Sequence, residues 1–222
     1  MVAVDTDAVV TSVEDGLVSV ELNRPEKLNA LTPEMIDGLH GAFTELNEDP
    51  PAAVLLAGRG RATCAGMDVE IVSQDYETDF ADVDALAQEL YALVEELPCP
   101  VAMAARGALV GMGFVVSLSC DFLVVGEGTT LSVPEVKYDI ASERTARRLP
   151  ELVGHRPAAE LLLTGEPISP ARAHELGLAN AVVPSDEVDD RARALLASIT
   201  EHDRETVTEL CSLLRGGESN GR

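Results

Sequence analysis

Residues 101–125 read VAMAARGALVGMGFVVSLSCDFLVV. The short apolar run from Val101 to Ala105 is typical of a strand that is buried on both faces. A glycine-rich turn follows, and it leads into a small-residue helix that we predict over Phe114 to Cys120. Asp121 to Val125 then reads as another apolar strand. Strands that alternate with helices in this way predict an α/β fold with parallel strands.

The N-terminal half repeats this alternation. Apolar runs from Val9 to Val13 and from Leu17 to Leu22 flank a Glu-Asp-Gly turn, which predicts a hairpin. Thr32 followed by Pro33 is a typical helix start, because threonine can cap the first turn and proline fits its first position. A strand from Ala53 to Ala57 and a helix from Asp84 to Leu97 follow.

The C-terminal part is predominantly helical. Two helices with a break at Gly165 and a strand from Ala181 to Val183 precede two final helices, over Ser185 to Thr200 and Arg204 to Leu214. We therefore predict a core over residues 1–184 and a short C-terminal helical segment with a frayed tail over residues 185–222.

Composition narrows the functional class. The 222 residues are 46% hydrophobic but only 3% aromatic, which indicates a globular protein with an aliphatic core. The formal net charge is −23, and Lys27 and Lys137 are the only lysines. Such a surface repels nucleic-acid phosphates and resembles that of proteins from salt-loving organisms, which stay soluble at high salt.

The cysteine pattern and the N-terminal sequence predict a cytoplasmic protein. The four cysteines form no C-x-x-C pair or short Cys/His cluster, so we expect neither a metal site nor a disulfide framework. The N-terminus shows no signal-peptide pattern, and no apolar run reaches the roughly 18 residues that a membrane span needs.

Two small-residue turns are the candidates for chemistry. TCAGMDV (63–69) follows the strand at Ala53 to Ala57, and ALVGMGF (108–114) follows the strand at Val101 to Ala105. Small residues let a backbone approach a ligand closely, and two N–H groups that converge on one oxygen form an oxyanion hole. The alternative is that both turns are structural. No dinucleotide, phosphate-loop or nucleophile-elbow motif is present.

The order of several segments resembles the crotonase (enoyl-CoA hydratase/isomerase) family. The resemblance covers about residues 8–184, and its pieces are NRPEKLNAL, GRGRATCAGMDV, PCPVAMAARGALVGMGFVVSLSCDFLV, LSVPEVK, RRLPELVG and LLLTGEPISPARAHELGLANAVVP. It implies an α/β crotonase-like spiral of ββα units, here with a shortened C-terminal helical region. It also implies an acyl-CoA thioester as the substrate, no cofactor beyond that coenzyme A, no membrane partner, and a homotrimer or dimer of trimers.

The resemblance assigns the site by position. The backbone amides of Met67 and Met112 would be the oxyanion donors. The less favoured alternative is that both are merely core residues. The candidates for binding the substrate and its coenzyme A are Arg24, Lys27, Leu28, Ala30, Ala65, Asp68 and Gly111. A solvated surface position is the alternative for Lys27.

The chain departs from the family pattern at two places. Family hydratases use two glutamates; the second matches Glu135, but Val115 stands at the position of the first. The loop after Glu135 is the charged stretch DIASERTA (139–146), in which Asp139 and Glu143 could replace the missing carboxylate or pair with Arg144, Arg147 and Arg148.

Because one base suffices to move a double bond, we favour isomerisation by Glu135. A hydratase with a replacement carboxylate, or a silent acyl-CoA-binding member, are the alternatives.

Overall fold

A computed structural model describes residues 7–68 and 79–216 of the chain. Its strands are β1 (Val9–Glu14), β2 (Leu17–Leu22), β3 (Ala53–Gly58), β4 (Val101–Ala105), β5 (Ala108–Val110), β6 (Phe122–Gly126), β7 (Thr130–Ser132) and β8 (Ala181–Val183). Its α-helices are α1 (Pro33–Glu48), α2 (Asp79–Glu96), α3 (Met112–Ser117), α4 (Glu143–Val153), α5 (His155–Thr164), α6 (Pro170–Glu175), α7 (Val188–Thr200) and α8 (Arg204–Leu214). Single 3-10 turns cover Pro25–Lys27 and Glu135–Tyr138.

The main sheet has the strand order β1-β2-β3-β4-β6-β8. The first two strands form the predicted antiparallel hairpin, and every later pairing in this sheet is parallel. Strands β5 and β7 form a second, two-stranded parallel sheet. The parallel α/β architecture that the sequence predicts is therefore confirmed, and the crossovers between parallel strands carry the loops that form the site.

The main sheet is covered on both faces, which explains its almost uninterrupted apolar strands. Met103 of β4 lies in the larger core with residues of α1 and α2, whereas Ala102 and Ala104 lie in a smaller core under α7. Helix α7 contributes Val188, Ala192 and Leu196 to that smaller core, all fully buried. This helix follows the predicted boundary at residue 184, and it packs directly on the sheet.

Several predicted element boundaries are confirmed. Helix α1 begins at Pro33, and the Thr32 side chain accepts a hydrogen bond from the Met35 amide at 3.2 Å. The bounds of β8 and α8 agree with the prediction, and Gly165 ends α5 in a left-handed conformation. The predicted tail over residues 217–222 lies outside the described residues.

Other predicted boundaries were wrong, and α7 begins at Val188 rather than at residue 185. Helix α2 begins at Asp79 rather than at residue 84. Helix α3 covers Met112–Ser117, because Gly111 turns the chain with a φ of 53° and its carbonyl already accepts the Val115 amide. The charged stretch 139–146 is not all loop: Ser142 caps α4, so the chain is helical from Glu143 onward. Within the described residues, no helix combines the length and the apolarity needed to cross a membrane.

Candidate active site

The first small-residue turn is held in place by strand-like hydrogen bonds to β5. The Cys64 amide donates to the carbonyl of Ala108 at 2.9 Å, and the Cys64 carbonyl accepts from the Val110 amide at 3.0 Å. The Thr63 hydroxyl adds a bond to the carbonyl of Ala104 at 3.0 Å. These hydrogen bonds fix the position and the direction of the backbone where the turn begins, at residue 64.

Beyond Gly66 the turn pairs with a second partner. The Leu31 amide donates to the Gly66 carbonyl at 2.8 Å, and the Leu31 carbonyl accepts from the Asp68 amide at 2.9 Å. In such a parallel bridge the intervening residue, Met67, directs its own amide away from Leu31. Among the described residues, the Met67 amide has no hydrogen-bond acceptor.

The second small-residue turn is centred on Gly111. Its amide donates to the carbonyl of Ser132 at 3.0 Å, and its φ of 53° combined with a ψ of −128° is a conformation that favours glycine. Helix α3 begins at the next residue, so the Met112 amide is the first in that helix. Within the described part of the chain, this amide too has no acceptor.

The two turns touch each other at their glycines. A Cβ atom placed on Gly66 would lie 3.3 Å from the carbonyl oxygen of Val110. One placed on Gly111 would lie 3.7 Å from the Cα atom of Gly66. Both glycines have a positive φ, of 92° at Gly66 and 53° at Gly111, which strains any residue with a side chain. The two turns bring Met67 and Met112 to the wall of one cavity.

Glu135 reaches the same place from the 3-10 turn that follows β7. Its Oε1 atom lies 3.2 Å from the position that a Cβ atom on Gly111 would occupy. Its Oε2 atom is enclosed and has no hydrogen-bond partner within the described residues. Burial raises the pKa of this carboxyl above its ordinary value of 4.5, and a hydrogen bond from its own backbone amide opposes the shift only in part.

These residues line a cavity of about 730 Å³. Of the predicted site residues, Ala65, Met67, Gly111, Met112 and Glu135 contribute to its wall. Val115 also lines it and is buried, so the wall has an apolar side chain at the position where the resemblance implies the first of two glutamates. The cavity is therefore a partly apolar space lined by a half-buried carboxylate, Glu135, whose Oε2 atom has no partner among the described residues.

The remaining predicted binding residues lie beside the first turn rather than in the described cavity wall. Arg24 pairs with Asp68 at 2.6 Å and donates to the carbonyl of Ala30 at 3.2 Å. The carbonyl of Leu28 accepts the Ala65 amide at 3.1 Å, and Lys27 is exposed. These contacts give Arg24 and Asp68 a structural part in holding the turn, and contact with coenzyme A stays a prediction for all five residues.

The charged stretch after Glu135 forms another part of the wall, with partners that the sequence did not indicate. Arg144 pairs with Glu95 of α2, rather than with Asp139 or Glu143. Arg147 does pair with Glu143, at 2.8 Å, but both side chains are 79% exposed. Arg144 is thus a half-buried wall residue, whereas the Arg147 pair is solvated and contributes little stability.

The contribution of helix α2 to the cavity was not predicted from the sequence. Asp84, Gln88, Tyr91 and Glu95 all line the cavity. They recur at intervals of three or four residues, so they form one polar stripe along the helix. That spacing was visible in the sequence, but the apolar stripe of the same helix, Leu86, Leu90, Leu93 and Val94, was the stronger pattern.

Cys64 lies next to the turns without a chemical role of its own. It is 1% exposed, and burial raises the pKa of its thiol to about 12. A neutral thiol is a poor nucleophile, so the prediction of a small buried residue agrees with its surroundings. Among the described residues, no three His, Cys, Asp or Glu side chains cluster in a way that could hold a metal ion.

Comparison with known sequences shows the family. Residues 12–219 match the family model described as enoyl-CoA hydratase/isomerase. A protein of Mycobacterium tuberculosis named "Probable enoyl-CoA hydratase echA6" is 31% identical over 169 residues, which are 76% of this chain and 68% of the relative. A second protein of that organism, "Probable enoyl-CoA hydratase echA8", is 30% identical over 187 residues, which are 82% of this chain and 71% of the relative.

Solved structures with the same fold support the same family assignment. The crystal structure of an enoyl-CoA hydratase from Bacillus anthracis superposes with a TM-score of 0.90 at 29% identity, covering 94% of this chain and 83% of that one. An enoyl-CoA hydratase from Mycobacterium smegmatis gives a TM-score of 0.88 at 29% identity, covering 93% and 82% of the two chains. With its fold, its sequence and the order of its site segments in agreement, this chain is an enzyme of the enoyl-CoA hydratase/isomerase family, in the crotonase superfamily.

Proposed function

We propose that this acyl-CoA enzyme moves a carbon–carbon double bond, converting a 3-enoyl thioester into its 2-enoyl isomer. One observation carries the proposal. Within the described residues, the Oε2 atom of Glu135 is enclosed without a partner and the amides of Met67 and Met112 have no acceptor, whereas the apolar Val115 lines the same cavity. A site with one such base suits a reaction that begins and ends with the same proton.

The chemistry needs one group that both takes and returns a proton. Ionised Glu135 would remove a proton from C2 of the 3-enoyl thioester, and the electron pair would delocalise into the carbonyl as a dienolate. The protonated carboxyl would then return the proton to C4 on the same face, leaving the double bond between C2 and C3. Because burial raises the pKa of Glu135, the carboxylate is a stronger base than an exposed glutamate.

The dienolate oxygen needs stabilisation while the proton is in transit. The amides of Met67 and Met112 would donate to it, since neither has an acceptor among the described residues and the turns that carry them approach each other at Gly66 and Gly111. Loss of one such donor typically costs about 10²–10³ in kcat. Both residues act through the backbone, so their methionine side chains leave this function intact.

Further features remain part of the proposal. Arg24, Lys27, Leu28, Ala30 and Asp68, at the outer side of the first turn, would flank the coenzyme A part of the substrate, and no cofactor besides the thioester enters the chemistry. We also propose a cytoplasmic enzyme that assembles as a homotrimer or dimer of trimers. Light scattering during size-exclusion chromatography would test the assembly, and a monomer at all concentrations would contradict it.

The decisive experiment replaces Glu135 with glutamine, Glu135→Gln. We expect turnover of 3-enoyl-CoA to disappear while a saturated acyl-CoA still binds, because the amide keeps the shape of the side chain but cannot accept the proton. Glu127→Gln is the matched control, since Glu127 is an exposed glutamate in the turn after β6. Full activity in the Glu135 variant would refute the assigned base. Binding without turnover in the wild-type enzyme, across both 2-enoyl and 3-enoyl thioesters, would instead indicate a silent family member.

Hydration of 2-enoyl-CoA is the second candidate, favoured by the names of the relatives. It needs a second acid or base to complement Glu135. Asp139 and Glu143 are exposed, whereas Glu95 lines the cavity but is paired with Arg144. Hydration of 2-enoyl-CoA that is faster than isomerisation of 3-enoyl-CoA would reverse our preference, and loss of that hydration in Glu95→Gln would identify the second carboxylate.

A further inference from the structure

A polar cluster with several mutual contacts lies at the cavity wall. Its members are Tyr91 and Glu95 of α2, Ser119, which follows α3, and Arg144 of α4; we call it the Arg144 cluster. The guanidinium carbon of Arg144 lies 4.9 Å above the centre of the Tyr91 ring, and Nη2 donates to the Ser119 hydroxyl at 3.0 Å. The same Nη2 pairs with Oε1 of Glu95, which also accepts from Ser119.

This arrangement fixes the guanidinium of Arg144 in one orientation. Helix α2 holds it through an ion pair from Glu95 and a cation–π contact from Tyr91, and Ser119 after α3 holds it through a hydrogen bond. The side chain is 19% exposed, compared with 79% for Arg147 one turn further along the same helix. A rigid, partly buried arginine in a cavity wall is suited to recognising a polar group in the ligand.

The cluster leaves donors and an acceptor open. Among the described residues, Nη1 of Arg144, Oε2 of Glu95 and the hydroxyl of Tyr91 make no hydrogen bond, and none of the three is enclosed, in contrast to Nε of Arg144. Burial raises the pKa of the Tyr91 phenol, which therefore stays protonated and able to donate. The open atoms thus offer two donors and one charged acceptor, all on residues that line the cavity.

These atoms discriminate between classes of acyl group. A plain alkyl chain would cover them without replacing the hydrogen bonds that water makes, which is unfavourable. A carboxylate would face Glu95 and Glu135 as well as Arg144, whose charge is already balanced by Glu95. A hydroxyl group matches the set, because its oxygen accepts from Arg144 while its hydrogen is donated to Glu95.

We propose that the cavity is selective for acyl-CoA thioesters whose acyl chain carries a hydroxyl group that contacts Arg144 and Glu95. This deepens the function proposed above and rests on it, because it assumes that the thioester is placed beside Glu135. Tyr91 supports this arrangement by supplying the face on which Arg144 rests and a further donor. Selection acts on binding of the acyl chain, whereas Glu135 acts on the reacting carbons.

The test measures binding of saturated acyl-CoA pairs to the full chain by calorimetry. Each pair has one chain with a terminal hydroxyl and one in which a methyl group replaces it, and the series extends over increasing chain length. We expect the hydroxylated member to bind about tenfold more tightly at the length that reaches the cluster, the effect of one or two well-placed hydrogen bonds. A chain with a terminal carboxylate should bind less tightly than the hydroxylated one.

The matched variant replaces the ion pair as a unit, Glu95→Leu with Arg144→Met, so that no single charge stays buried without a partner. It should lose the preference for the hydroxyl group and bind the methyl-ended chain at least as well as the hydroxylated one. A second double variant, Arg172→Met with Glu175→Leu, removes an exposed ion pair of α6 and should keep the wild-type preference. An equal preference in the wild type and in the Glu95/Arg144 variant would overturn the proposal, as would a wild type that prefers the methyl group.

Failure of this proposal can be told apart from failure of the proposed function. The chains in the binding series are saturated, so the ratio of their dissociation constants does not depend on Glu135 chemistry. Isomerase activity toward 3-enoyl-CoA with no preference for a hydroxyl group would overturn only the selectivity. Preference for the hydroxyl group without turnover of any enoyl-CoA would uphold the selectivity and contradict the isomerase. Absence of binding by every acyl-CoA would contradict both.

Discussion

Glu135 lies close beside Gly111, since a Cβ atom placed on this glycine would be only 3.2 Å from Oε1 of the glutamate. We therefore expect Gly111→Ala to lower kcat by about two orders of magnitude, because a small displacement of a base or an amide donor is enough for that effect. Strain at the positive φ should also reduce stability by roughly 1–3 kcal/mol. Steady-state kinetics and thermal unfolding would measure the two effects separately.

Gly128→Ala is the control for this substitution. Gly128 also has a positive φ, of 74°, but no atom lies within 4 Å of the position that its Cβ would take. The control should therefore show a comparable loss of stability with little change in kcat. Equal kinetic effects of the two variants would mean that strain alone, rather than contact with Glu135, explains the loss.

The pH dependence of turnover should reflect the raised pKa of Glu135. The carboxyl must be ionised to accept a proton, so kcat/KM should fall as the pH is lowered through a pKa that lies above the ordinary 4.5 of glutamate. The decline should be about tenfold per pH unit, which is the slope of a single titrating group. A rate profile that stays flat down to the ordinary pKa would contradict the buried, unpaired state of this carboxyl.

The same shift predicts a change in stability with a definite sign. Because the folded protein holds this proton more tightly than the unfolded chain, the stabilisation is complete below the unfolded pKa. It is lost as the pH rises through the folded pKa. Glu135→Gln removes this loss, so the variant should gain stability relative to the wild type as the pH rises through that range. Urea unfolding at an acidic and at a neutral pH would measure the difference.

Arg215 should be essential for stability, because it anchors the end of α8 to the sheet. It pairs with Asp121 and donates to the carbonyls of Glu95, Leu97 and Cys99. The Arg215 and Asp121 side chains are only 14% and 16% exposed. Arg215→Met would leave a nearly buried carboxylate without its partner, and we expect it to cost roughly 3 kcal/mol or more of unfolding free energy.

Arg147→Met provides the comparison for Arg215, since it removes an arginine whose ion pair with Glu143 is largely exposed. That substitution should change the unfolding free energy by less than about 1 kcal/mol. Chemical denaturation of both variants under one salt condition would give the two values. Similar costs would show that α8 is not held by the contacts of Arg215.

The acidic surface should make stability dependent on salt. With a formal net charge of −23, the folded chain repels itself, and added salt shortens the range of that repulsion. We expect the melting temperature to rise by at least about 5 °C between roughly 0.1 M and 2 M KCl, equivalent to about 1–2 kcal/mol for a chain of this size. The rise should shrink close to the isoelectric point, and an equal rise there would argue against charge repulsion as its cause.

Much of the fold was visible in the sequence because the signals were local. The Thr32–Pro33 helix start, the turn at Gly16 and the break at Gly165 each depend on the conformational preferences of a few adjacent residues. Glycine at position 111 was also recognised as a turn of a candidate site. It could not be placed beside Glu135 without knowing how the second sheet pairs β5 with β7.

The sequence by itself determined the layered α/β arrangement, since that depends on periodicity along the chain. It also determined that position 135 has a carboxylate and position 115 does not, since that depends on residue identity alone. Only the tertiary structure decided that Arg144 pairs with Glu95, 49 positions away, rather than with its neighbours Asp139 and Glu143. The physical reason is that an ion pair is stronger where water is largely excluded. Whether Arg144 and Glu95 are shielded from water depends on how α2 packs beside α4. The spacing of the polar residues along α2 is present in the sequence, but only the packing of the helices shows that this stripe faces Arg144.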